Sequence, residues 1–117
     1  MLRFSLALIL ILVTLPVTAE IKGTIIAITS EYGNVTTDIT ADALAKEGIE
    51  HGGKFQLRYD GKTYEVTLAT TYSDVEKGEW VAFIIEEIGS LRLARNLENA
   101  ATTLDCAEGD TVSIMRK

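Results

Sequence analysis

One cysteine, one histidine, one tryptophan and one proline occur in 117 residues, and each scarcity narrows what the chain can do. A lone Cys106 cannot close a disulfide within the chain, so stability has to come from packing, and the thiol is expected to be buried. With one His and one Cys no His/Cys metal cluster can be assembled, and no EF-hand spacing of acids is present. The sequence also lacks a Gly-rich phosphate loop and a serine nucleophile elbow. Positive charge is short as well: 11 basic residues stand against 17 acidic ones, a net charge of −6. That balance disfavours a nucleic-acid or anionic-membrane surface. The one proline is Pro16, so nothing after it interrupts a strand for want of an N–H.

What is present begins with a leader pattern. Arg3 is the only charge in residues 1–19, residues 6–13 are uniformly apolar, and Val17-Thr18-Ala19 follows Pro16. This order is that of a secretion signal cleaved after Ala19. The apolar run is shorter than the roughly 20 residues a membrane span needs. Contact with a membrane is expected only through an uncleaved signal. No cysteine sits near the cleavage point, which argues against a lipid-anchored form. Removing 19 of 117 residues leaves 98, one domain over 20–117, and loss of Arg3 takes the charge from −6 to −7. The expected location is secreted or periplasmic.

The remainder reads as strands. Residues 21–29 are rich in β-branched side chains and run into the polar turn Ser30-Glu31-Tyr32-Gly33-Asn34, after which 35–39 form a short strand. Thr40 is a capping residue, Asp42 sits in the first turn, and Gly48 stops a single short helix between them. Phe55, Leu57 and Tyr59 alternate with polar residues, as do Tyr64, Val66 and Leu68, and Asp60-Gly61 joins them as a two-residue hairpin turn. Residues 80–85 are almost continuously apolar, the pattern of a central strand, with Trp80 in the core. Leu91 with Leu93, and Val112 with Ile114, mark two more strands. The implied fold is all-β, a small Greek-key barrel or sandwich with one short helix.

The segment from Ile28 to Ile39, with its acid, aromatic-Gly-Asn and Thr-rich order, is followed by three further landmarks. These are Lys46-Glu47-Gly48-Ile49 with His51-Gly52, then Thr71-Tyr72-Ser73-Asp74-Val75 with Gly78-Glu79, then 89–96 with Asn99-Ala100-Ala101 and Gly109-Asp110. Together, spanning 22–115, they resemble the C-terminal domain of the S-adenosylmethionine hydroxide adenosyltransferase family, the fluorinase- and chlorinase-like enzymes. The resemblance implies a β barrel that, in two-domain trimers, holds the adenine and part of the methionine of S-adenosylmethionine against a neighbour's N-terminal domain. That N-terminal domain carries the residues that aim water or halide at the ribose carbon. By the resemblance Asn34, Tyr72, Arg95 and the backbone near Leu97 match the adenine side, which makes an adenine nucleoside the candidate ligand and a trimer the pattern for any oligomer. The methionine side departs from the pattern. Where the family has the acid that meets the ammonium this chain has Thr29-Ser30-Glu31, with the acid at a different step, and Glu87-Ile88 stands where it has groups for the carboxylate.

Each residue also has a plainer role. Gly33-Asn34 is a common turn pair, Tyr72 suits the rim of a barrel, and Arg95, at period two from Leu91 and Leu93, suits a barrel-end position paired with an acid. His51 between a turn and two glycines reads as a loop residue, and Glu86-Glu87 as a solvated strand end. No catalytic residue, cofactor or metal is assigned. Three functions remain open: an exported, non-catalytic binding or interaction module, which the sequence favours; a weak adenosine or adenine-derivative binder; and one half of a split hydrolase completed by a separate N-terminal domain. Export weighs against the third, since S-adenosylmethionine is made and used in the cytosol.

Overall fold

Phe55, Leu57, Val66, Leu68, Leu91, Leu93, Val112 and Ile114, from the alternating segments, are all buried in one core, with Tyr59 and Tyr64 partly buried against it. A computed structural model describes residues 19–117, and the expected secretion signal lies outside the described residues except for Ala19. The strands are β1 (Glu20–Ile28), β2 (Val35–Thr40), β3 (Lys54–Tyr59), β4 (Lys62–Leu68), β5 (Trp80–Ile85), β6 (Ser90–Arg95) and β7 (Thr111–Arg116). They close into a barrel in the order β1-β2-β6-β5-β4-β3-β7, so the fold is all-β and is a barrel rather than a sandwich. Closure leaves no unpaired edge strand. Every pairing is antiparallel except β4 with β5, which the 69–79 connection makes parallel.

The β3–β4 hairpin turns on Asp60 (φ 49°) and Gly61 (φ 76°), both left-handed, as a two-residue turn matched to strand twist requires. Thr40 caps helix α1 (Ala41–Lys46) by accepting from the Ala43 N–H, and Leu44 enters the core. The expectation of one helix is corrected. A second, α2 (Ala100–Leu104), is capped by Asn99, and Tyr72–Asp74 forms a 3-10 turn. Neither is long enough to show a helical period in sequence. No helix among the described residues is long and apolar enough to cross a membrane.

The apolar run of β5 has two burial partners. Trp80 and Ala82 face the barrel core, while Val81 joins Ala69, Val75 and Ala94 in a second cluster, with Phe83 packed against it. The 69–79 connection therefore lies over the outer face of β5 and β6, and it carries Tyr72 with it. Cys106 is half-buried rather than buried: it follows α2, its Sγ lies 4.0 Å from the Ala101 carbonyl, and burial pushes its thiol up. The short helix ends in a left-handed Asp105, which leaves Cys106 at the margin of the core.

Candidate ligand cleft

Three loops build one open cleft of about 630 Å³, within the range of small-molecule sites. The first is the turn after β1. Its ends are tied by Thr29 N–H to Asn34 O (3.0 Å) and Gly33 N–H to Thr29 O (2.7 Å), which presents Glu31 and Tyr32 outward and turns Asn34 inward. Gly33 has φ 66°, and a Cβ there would fall 1.8 Å from Asn99 Oδ1. The Gly33 carbonyl in turn accepts the Ala101 N–H at 2.8 Å, so this loop is seated on the start of α2.

The second is the 3-10 turn. Asp74 Oδ2 accepts the backbone N–H groups of Thr70 (3.2 Å) and Thr71 (3.3 Å), and Oδ1 accepts the Thr71 hydroxyl. Those backbone donors, Thr70 first, hold the Asp74 carboxyl below its usual range. Asn96 secures the far side of the same loop by donating Nδ2 to Val75 O at 2.9 Å, while its carbonyl accepts the Gly78 N–H. Tyr72 thus projects from a braced loop. Its ring packs on Phe83 with centroids 4.7 Å apart, and it stays 42% exposed.

The third is the turn after β6. Leu97 takes φ 59°, a left-handed conformation rare for a non-glycine residue, and is 77% exposed. Arg95 does lie on the core side, with its guanidinium 5.9 Å from the centre of the Trp80 ring. The expected acid partner is replaced by neutral acceptors: Nε donates to Gly78 O and Nη1 to Thr103 Oγ1, each at 2.9 Å. The reason is local, since the neighbouring chain reversal at Gly78 offers a free carbonyl to the end of β6.

All four residues singled out by resemblance, Asn34, Tyr72, Arg95 and Leu97, line this cleft. Asn34, only 5% exposed, donates Nδ2 to Tyr72 Oη at 2.8 Å, and its Oδ1 accepts no hydrogen bond among the described residues. The cleft therefore offers an aromatic surface, a free amide oxygen and exposed backbone at its turn, the donor and acceptor types that suit a flat heteroaromatic ligand. Sequence reasoning missed Glu31, Tyr32, Asn96, Glu98 and Asn99, which also line it. Asn96 and Asn99 stood inside quoted landmarks, but their bonds to Val75 and α2 have no sequence signature. His51 lies in an exposed turn and Glu86 and Glu87 are exposed, as expected. Among the described residues no group of three or more His, Cys, Asp or Glu could hold a metal ion.

A family model described as the SAM hydroxide adenosyltransferase C-terminal domain matches residues 23–113. A fluorinase from Actinopolyspora mzabensis is 30% identical over 99 residues, which cover 83% of this chain and 33% of that protein. A fluorinase from Nocardia brasiliensis is 32% identical over 97 residues, covering 81% and 32%. The chain thus spans about a third of the length of the curated relatives it matches. Among solved structures, an uncharacterized conserved protein from Thermotoga maritima superposes with a TM-score of 0.75 at 30% identity, over 83% of this chain and 36% of that one. A conserved hypothetical protein from Thermus thermophilus gives 0.55 at 22% identity, over 80% and 34%, a likeness of fold alone.

Proposed function

Because the chain belongs to the SAM hydroxide adenosyltransferase C-terminal domain family, we propose that it is an exported, non-catalytic module that binds an adenine nucleoside in the cleft between Asn34, Tyr72, Arg95 and Leu97. The observation that carries this reading is the convergence of Asn34, Tyr72 and the Arg95–Leu97 turn, three segments far apart in sequence, on one cleft. Residues brought together only for turn geometry or rim packing have no need to share a surface. A braced aromatic ring supplies stacking, and Asn34 Oδ1 can accept from an exocyclic amine.

Stacking is worth about 1–3 kcal/mol per base and a good hydrogen bond about 0.5–1.5 kcal/mol. An open cleft covering one side of the ligand then binds adenosine at roughly millimolar to tens of micromolar affinity. The non-catalytic part rests on positioning: displacement at the ribose carbon needs a nucleophile held in line, and an open cleft holds one face of the ligand only. Export rests on the leader pattern of residues 1–19. Isothermal titration with adenosine, adenine and S-adenosylmethionine tests the binding, and no heat from any of them rejects it. Intact mass of the protein from the extracytoplasmic fraction tests export, and a mass that retains residues 1–19 rejects cleavage.

A second reading is favoured by one feature. Tyr32 and Leu97, 63% and 77% exposed, stand at the cleft as uncovered apolar side chains, a surface that a separate protein domain would bury. In that case the cleft is one half of a composite site. Hydrolysis of S-adenosylmethionine that appears only on adding a second exported protein would establish it.

A further inference from the structure

Asn34 and Tyr72 meet as members of two braced loops. The Asn34 carbonyl accepts the Thr29 N–H at 3.0 Å, which sets the turn that carries the amide. Tyr72 is set by the bonds of Asp74 to Thr70 and Thr71 and by its packing on Phe83. The 2.8 Å bond between the two side chains runs from Asn34 Nδ2 to the phenol oxygen, so the nitrogen end of the amide is committed. The oxygen end is not. Asn34 is 5% exposed, yet among the described residues no fully buried side-chain nitrogen or oxygen lacks a hydrogen-bond partner. An Oδ1 with no such partner therefore reaches accessible surface, and the surface that Asn34 lines is the cleft. A free amide offers a purine both an acceptor and a donor, and an unconstrained asparagine reads adenine with the two together. Here the phenol has taken the donor end. What faces the cleft is an acceptor, which pairs with an exocyclic amine and opposes a carbonyl oxygen.

Resting on the adenine reading above, we propose that the Tyr72 hydroxyl is a positioning group that holds the Asn34 amide with Oδ1 toward the cleft, so that the site takes 6-aminopurine nucleosides and rejects 6-oxopurine ones. The hydroxyl acts through Asn34, whereas the Tyr72 ring contributes stacking that both kinds of purine share. Rejection is the larger part of the selection. A 6-oxo group would set two acceptors against each other beside a nearly buried amide, with no donor to satisfy either.

The experiment is ligand-observed NMR titration of the protein expressed from its full-length coding sequence with adenosine, purine riboside and inosine, which share the sugar and the stacking face and differ at position 6 of the base. Adenosine is expected to bind about 5- to 30-fold tighter than inosine, the factor that one made and one thwarted hydrogen bond supply. Purine riboside, with no group at that position, falls between them. In Tyr72→Phe the ring stays and the hydroxyl goes. The freed amide can then turn Nδ2 toward a 6-oxo group, and inosine is expected to gain affinity until the two nucleosides bind within about 3-fold of each other. A hydroxyl that only braced the loop would weaken both ligands on removal and would not make inosine bind tighter. Inosine binding as tightly as adenosine to the unmodified protein overturns the selection and leaves a purine site standing. An unchanged ratio in folded Tyr72→Phe overturns the role of the hydroxyl. If none of the three nucleosides binds, the adenine reading falls and the selection falls with it. The comparison of ligands on the unmodified protein decides the selection even if the variant misfolds.

Discussion

Asn34 Nδ2 donates to Tyr72 Oη at 2.8 Å, joining two residues that lie 38 positions apart in the chain. The bond commits one end of the amide and leaves the other to the cleft. It also holds the Tyr72 ring, already packed on Phe83, at a set height above the opening.

Replacing Tyr72 with Ala should therefore remove adenosine binding and leave the barrel standing. Loss of stacking worth about 1–3 kcal/mol weakens binding about 5- to 150-fold, below detection for an affinity that starts weak. The ring is 42% exposed and lies outside the main core, so the circular dichroism spectrum should be unchanged. Unaltered titration heats in Tyr72→Ala would remove the ring from the site.

Gly33→Ala should destabilise the fold by about 1–3 kcal/mol, measurable as a lower urea midpoint at constant slope. Two causes add: φ is 66°, and the new Cβ would displace Asn99 Oδ1 from the Thr102 N–H it caps at 2.8 Å. A midpoint within error of the parent would show that this turn relaxes freely.

Tyr59 donates its hydroxyl to Asp110 Oδ2 at 2.6 Å, and the same oxygen accepts the Ala107 N–H at 2.9 Å. The bond to Asp110 is the main reason the phenol is pushed up to about 12, and the same bond, with Ala107, holds the Asp110 carboxyl below its usual range. A carboxyl lowered on folding contributes stability above its unfolded value, about 3.9, and that contribution is lost as pH falls through the folded value. A phenol raised on folding contributes fully below its unfolded value, about 10, and loses it as pH rises through about 12. Tyr59→Phe should thus lower the thermal midpoint modestly at neutral pH and flatten both limbs of its pH profile. A profile parallel to the parent's at every pH would exclude this linkage.

Incubated with S-adenosylmethionine, the protein alone should release no adenosine above the uncatalysed rate. Chromatography of the reaction mixture checks this, and adenosine release that disappears on heat denaturation would contradict it.

The strands were legible from residue pattern because burial on one face of a strand imposes period two, and the hairpin because Asp60-Gly61 suits a left-handed turn, while the choice between barrel and sandwich was left to the structure. The second helix was not, since five residues carry no period and its cap, Asn99, bonds locally in a way many loop asparagines do. The four ligand-side candidates came from resemblance to a family, and no spacing among them implies that they meet.

By itself, the amino-acid sequence determined the strand content, the helix start at Thr40, the turn at Asp60-Gly61 and the scarcity of histidine and cysteine. These are local consequences of side-chain type and chain geometry. Tertiary structure alone decided that the 69–79 connection folds over the outer face of β5 and β6, bringing Tyr72 to Asn34. It also decided that Arg95 turns to Gly78 and Thr103 rather than to an acid, and that Glu31 and Glu98 line the same cleft. The reason is that closing a barrel sets the distance between residues far apart in sequence, a quantity that no local preference encodes.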